Sequence, residues 1–136
     1  MIGAVYDSSI LVSGLGWHGD SYLCLVAMAR RRVKVYSSVW ILEEVSRRLK
    51  ELEVRQQVGP DVWPAFTWFS EQARIVVPAP TGKRRSRDPK DDPVIGTALA
   101  SGAGTIVTRD RDLLVLERPF GVKMVHPRDF LRELKA

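Results

Sequence analysis

Apolar and polar positions along the 136-residue chain follow two rhythms. Short apolar runs predict strands at Ile2 to Tyr6, Val33 to Tyr36, Ile75 to Val77, Thr105 to Thr108 and Val122 to Val125. Polar Asp7-Ser8-Ser9 closes the first run, while Pro78 and Pro80, which lack a backbone donor, close the third. Between the runs, apolar residues recur at three- and four-residue steps, the spacing of a helix with one buried face. The stretch Asp20 to Arg31 carries Leu23, Val26, Ala27 and Arg30 at those steps. Ser37-Ser38 offers an N-cap to a helix reaching about Leu52, whose stripe is Ile41, Leu42, Val45, Leu49 and Leu52. Further helices are predicted from about Asp61 to Ala73, from Val94 to Ser101, and from Pro127 onward. The basic segment 81–87, with Gly and Ser, reads as a surface loop or flap.

Strands that alternate with helices pair in parallel through right-handed crossovers. The pattern therefore predicts an α/β fold of three layers around a parallel sheet of about five strands. In such sheets, ligands bind beyond the carboxyl ends of the strands, where the strand order reverses. With the order 3-2-1-4-5, Asp7 after the first strand and Asp110 after the fourth share one rim.

The length suits a single domain over 1–136. At 45% hydrophobic and 27% charged, the usage is that of a globular protein rather than a disordered chain. No apolar run approaches a membrane span, and MIGAVYDSS lacks the basic start of a secretion signal, so a cytoplasmic protein is expected. The single Cys24 lies among Leu23, Leu25 and Val26 and is expected to pack as a small hydrophobe. The formal charge of +5 gathers at Arg30-Arg31-Arg32, Arg47-Arg48-Lys50 and Lys83-Arg84-Arg85 with Arg87. That balance favours an anionic partner, nucleic acid before membrane, because no bulky apolar face accompanies the charges.

The carboxylates narrow the chemistry. At about 100° per residue, Glu44 falls about 60° outside the stripe of its helix, able to point along a cleft. An ion pair from Glu44 to Arg48 is the competing role. In RDPKDDPVIG, Asp92 before Pro93 suits an N-cap, and Asp88 could cap one turn earlier, whereas Asp91 projects within the apolar face. In TIVTRDRDLL, Asp110 and Asp112 follow a strand, where a turn or a helix start would also use them. Clustered carboxylates repel unless a cation or a proton compensates. Oxygen-only ligands suit Mg²⁺ or Mn²⁺; zinc would call for Cys or His, and Cys24, His18 and His126 stand in unrelated places.

Four stretches, VYDSSILVSGL, SSVWILEEVSRRL, SRDPKDDPVIGTALASGAGTIVTRDRDLL and VKMVHPRDFL, resemble in this order a PIN domain. The likeness is greatest to the VapC-type ribonucleases, the toxin half of bacterial and archaeal toxin–antitoxin pairs. The resemblance implies a metal-dependent endoribonuclease that uses Mg²⁺ or Mn²⁺ and leaves 5′-phosphate and 3′-hydroxyl ends. It puts the acids on Asp7, Glu44, Asp91 and Asp110, with Asp112 as a further metal ligand and Asp92 as the rival of Asp91. Thr108 and Ser9 stand in supporting positions. Where the family has Asp-Thr-Asn, this chain has Asp7-Ser8-Ser9, and Ser9 is shorter and lacks the amide. A catalytically weakened PIN-like module that binds RNA or protein is therefore the alternative.

Lys83, Arg84, Arg85 and Arg87 precede the Asp91 segment and are placed to hold RNA phosphates. Trp68 projects away from Phe66 and Phe69 on its helix. It is expected to bury in a homodimer interface, against an antitoxin helix, or against another part of its own chain.

Overall fold

The computed structural model describes residues 1–82, 92–116 and 118–135. Five parallel strands, β1 (Ile2–Tyr6), β2 (Val33–Ser37), β3 (Arg74–Ile75), β4 (Thr105–Val107) and β5 (Lys123–Val125), form one sheet in the order β3-β2-β1-β4-β5. The expected α/β fold and strand order are therefore observed. The helices are α1 (Ser8–Gly16), α2 (Asp20–Ala29), α3 (Val39–Val54), α4 (Val62–Gln72), α5 (Asp92–Ser101), α6 (Arg111–Leu114) and α7 (Pro127–Lys135). Successive strand residues point to opposite faces, and Ala4, Val5 and Tyr6 are all fully buried, so the centre of the sheet is covered on both sides. Among the described residues, no helix is long and apolar enough to cross a membrane.

The best-formed amphipathic element is α3, whose Ile41, Val45 and Leu49 are fully buried, with Leu42 and Leu52 at the margin. Ser38 caps it by accepting the Ile41 N–H at 3.4 Å. Thr97 on α5 donates to the Pro93 carbonyl at 2.7 Å and lies 3.1 Å from Ser38 Oγ, which ties the start of α3 to α5.

Several boundaries differ from the sequence reading. The helix α1 was not expected: its apolar residues lie on more than one side, with Ile10, Leu11 and Val12 all buried, so no stripe marks it. In α2 the buried positions are Ser21, Cys24, Leu25, Ala27 and Met28, whereas Leu23 is half exposed. Apolar residues nearly surround that helix, and its inward face is chosen by close packing on α1, where a Cβ at Gly14 would come within 2.9 Å of the Ser21 carbonyl oxygen. The edge strand β3 spans Arg74–Ile75 rather than 75–77, because only Tyr36 and Ser37 of β2 lie opposite it before the prolines. Cys24 is buried, and its backbone carbonyl accepts the Tyr6 hydroxyl at 2.8 Å.

Candidate active site

The chain leaves β1 at Tyr6 and turns at Asp7, whose extended backbone and carboxylate cap α1 by accepting the Ile10 N–H at 3.1 Å. The Asp7 N–H donates to the Val107 carbonyl at 3.1 Å, which carries the β1 and β4 pairing one step past the strands and brings Thr108 alongside. Thr108 then donates its hydroxyl to Asp7 Oδ2 at 2.5 Å, and Ser9 donates to Asp7 Oδ1 at 2.6 Å. The same two hydroxyls act again as acceptors. Thr108 Oγ1 receives the Asp110 N–H at 2.9 Å, and Ser9 Oγ receives the Arg109 N–H at 3.2 Å. Asp110 in turn caps α6, with Oδ1 accepting the Asp112 N–H at 2.9 Å. Four of the residues singled out in the sequence, Asp7, Ser9, Thr108 and Asp110, thus form one hydrogen-bonded web at the carboxyl end of β1 and β4.

An N-cap carboxylate ordinarily faces water, but Asp7 is only 3% exposed. Burial pushes its carboxyl from 3.8 up to about 6; the hydrogen bonds from Ser9, Thr108 and Ile10 oppose that rise, and the nearby Asp110 charge adds to it. Among the described residues, no lysine or arginine forms an ion pair with Asp7 or Asp110. A buried carboxylate beside a second one, with oxygen as the only donor atom, fits a hard divalent cation. Among the described residues, no group of three or more His, Cys, Asp or Glu side chains is close enough to hold a metal. The described part of the site is accordingly the Asp7 and Asp110 pair, and Asp91 lies outside the described residues.

Glu44 stands on α3 with its side chain 16% exposed, 3.9 Å from Arg47. The ion pair is made to Arg47 rather than Arg48, and Arg47 also binds Glu51 at 3.0 Å. Glu44 lines a hollow of about 280 Å³ with Trp40, Glu43 and Arg47. Trp40 also lines a second hollow, with Asp92, Pro78, Ala79, Pro80, Thr81 and Pro93. Asp112 occupies the first turn of α6 and donates its backbone N–H to Asp110. The basic positions Lys83, Arg84, Arg85 and Arg87 fall outside the described residues. Trp68 is half-buried, lining an apolar hollow with Leu15, Leu25 and Ala65 of its own chain.

Other nucleophiles are poorly suited. Burial, helped by the Asp20 charge, pushes the Cys24 thiol up to about 12, so it stays protonated at neutral pH. His126 is pushed below its ordinary value by burial, then by Arg109 and Arg128, and Nδ1 accepts the Arg128 N–H at 3.2 Å. The sequence reading did not find the double role of Thr108 or the use of the Arg109 backbone. Both depend on pairing between segments about a hundred residues apart, of which the stretch TIVTRD gives only a hint.

The family profile described as PIN domain matches residues 3–112. The fold is similar to the crystal structure of PAE2754 from Pyrobaculum aerophilum, with a TM-score of 0.65 over 98% of this chain and 97% of that one, at 17% sequence identity. No curated protein matches the chain significantly.

Proposed function

Since this chain belongs to the PIN domain family, whose members are generally nucleases, we propose that it is a metal-dependent endoribonuclease and the toxin of a toxin–antitoxin pair. The observation that carries this reading is the buried Asp7 carboxylate, bridged by Thr108 to the backbone of Asp110 at the carboxyl rim of the sheet. Asp7, Glu44, Asp91 and Asp110 would hold Mg²⁺ or Mn²⁺, with Asp112 assisting and Asp92 as the rival of Asp91. Such an ion, when bound, supplies Lewis acidity toward water and offsets charge on the phosphate.

The residues of the chain supply the positioning. Ser9 and Thr108 fix both oxygens of Asp7, so the carboxylate does not rotate when substrate arrives. Thr108 also holds the Asp110 backbone, so the two acids keep a constant relation to each other. Burial of Asp7 excludes water from one side of the site, which strengthens its attraction for cations. Lys83, Arg84, Arg85 and Arg87 would bind RNA phosphates beside the acids. The reading includes an antitoxin partner, a homodimer and a cytoplasmic setting.

A second reading, a catalytically weakened module that binds RNA or protein, is favoured by one feature. Ser9 stands where the family has Asn, and its hydroxyl is already engaged by Asp7 Oδ1 and the Arg109 N–H. Incubation of a mixed RNA pool with Mg²⁺, Mn²⁺ or EDTA, using wild type, Asp7→Asn and Asp91→Asn, separates the two. Cleavage that needs metal and is lost in both variants supports the nuclease. RNA binding without cleavage by any protein supports the module.

A further inference from the structure

The cluster Arg30-Arg31-Arg32 has no part in the site described above, and the fold gives one of its members a defined setting. β2 runs Val33–Ser37, but β3 pairs only with Tyr36 and Ser37. The outer edge of Val33, Lys34 and Val35 therefore has no strand beside it among the described residues. A hollow of about 290 Å³ lies along this open edge. Its floor is apolar and buried, with Met28 at 7% and Val33 and Val35 at 3% exposure. Its rim carries Arg31, Lys34 and Arg74.

Two features, the uncompensated charge and the order of the cations along the sheet, point to a ligand. Among the described residues, no carboxylate lies within ion-pair distance of Arg31, Lys34 or Arg74, so three positive charges face one concavity uncompensated. Arg31 has φ +58, in the left-handed region, where it closes α2 by donating its N–H to Met28 O while Arg32 N–H reaches Ala27 O. Glycine is the relaxed residue at such a position. The cations also climb the sheet in order. Arg31 precedes the strand, Lys34 is level with Gly3, and Arg74 is level with Tyr36 and hence with Val5. Val5 is two residues before Asp7, about 7 Å along the strand.

We propose that the hollow on this open edge of β2 is a track for single-stranded RNA, with Arg31, Lys34 and Arg74 on successive phosphates. The inference rests on the reading of the protein as acting on RNA. A membrane surface fits less well, because the apolar atoms lie at the bottom of a concavity where a bilayer cannot reach them. Single-stranded nucleic acid binds in positively charged grooves that follow its backbone, and three cations line this one.

The test is binding of a fluorescently labelled 20-nucleotide single-stranded RNA, followed by anisotropy in EDTA from 50 to 300 mM KCl. Loss of three phosphate contacts in Arg31→Ala/Lys34→Ala/Arg74→Ala should weaken binding roughly 10- to 100-fold at 0.1 M salt and reduce the slope of log K against log salt by about 2. Arg31→Gly is the control for folding: it should raise the midpoint of thermal unfolding while weakening RNA binding a few-fold, and Arg31→Lys should restore the affinity. Equal affinity and slope in wild type and the triple variant would overturn the track. So would binding to vesicles of anionic lipid in place of RNA, or no RNA binding at all. If the triple variant binds weakly but wild type cuts no RNA with any metal, the nuclease reading falls and the track stands. If wild type cuts RNA and the triple variant binds it equally well, the reverse holds.

Discussion

Replacing Asp7 by Asn should stabilise the metal-free protein at neutral pH even as it abolishes cleavage. Folding raises the Asp7 carboxyl from 3.8 to about 6. The folded state then binds this proton more tightly than the unfolded state. The contribution of Asp7 to stability is therefore greatest below about pH 4, declines as pH rises through 4 to 6, and stays low above 6. At about 1.4 kcal/mol per tenfold change in proton affinity, the ionised carboxylate costs ~3 kcal/mol at pH 7.5. Asn removes that charge and keeps an oxygen for Ser9 and Ile10, but presents an amide N–H₂ to the Thr108 hydroxyl, a loss of ~1 kcal/mol. The net gain is ~2 kcal/mol, or about 7 °C in Tm for a chain of this length. Urea unfolding in EDTA at pH 4.5, 6 and 7.5 measures it as the difference between variant and wild type. That difference should be near zero or slightly unfavourable to the variant at pH 4.5 and favour it at 7.5. A difference that does not change with pH, or a variant less stable at pH 7.5, would falsify the assignment of a desolvated anion to Asp7. Added Mn²⁺ should stabilise wild type and leave Asp7→Asn nearly unchanged.

Three other substitutions probe the frame around the site. Thr108→Val keeps the shape but leaves Asp7 Oδ2 and the Asp110 N–H without their shared partner; a loss of ~2 kcal/mol by urea unfolding and at least about tenfold in cleavage rate is expected. Gly96→Ala should cost more than about 2 kcal/mol by the same assay, because a Cβ there would collide with the Ala79 carbonyl oxygen and force residues 78–80 off α5. Ser37→Ala should be neutral or stabilising by up to ~1 kcal/mol, since Ser37 Oγ is buried and makes no hydrogen bond among the described residues; a loss of more than ~1 kcal/mol in thermal unfolding would show that the hydroxyl has a partner.

What the amino-acid sequence determined by itself is what short-range patterning can encode. The five apolar runs became the five strands to within a residue or two, and the stripe of α3 became its buried face, because burial of alternate or every third and fourth residue leaves a local period. Alternation of those runs with helices then restricts the sheet to a few parallel orders, of which 3-2-1-4-5 is the one observed. It also put Asp7 and Asp110 at neighbouring strand ends. Local patterning failed at α1, where apolar residues on several sides leave no period, and at α2, where the inward face depends on contact with α1. Only the tertiary structure decided that Asp7 is buried, that Thr108 reaches it across 101 positions of chain and links it to Asp110, that Glu44 turns to Arg47, and that β3 pairs with only Tyr36 and Ser37 of β2. The physical reason is that desolvation and hydrogen bonding between distant segments exist only once those segments are packed together. The sequence names the charged groups, but the surroundings that set their proton affinity and their partners come from the fold.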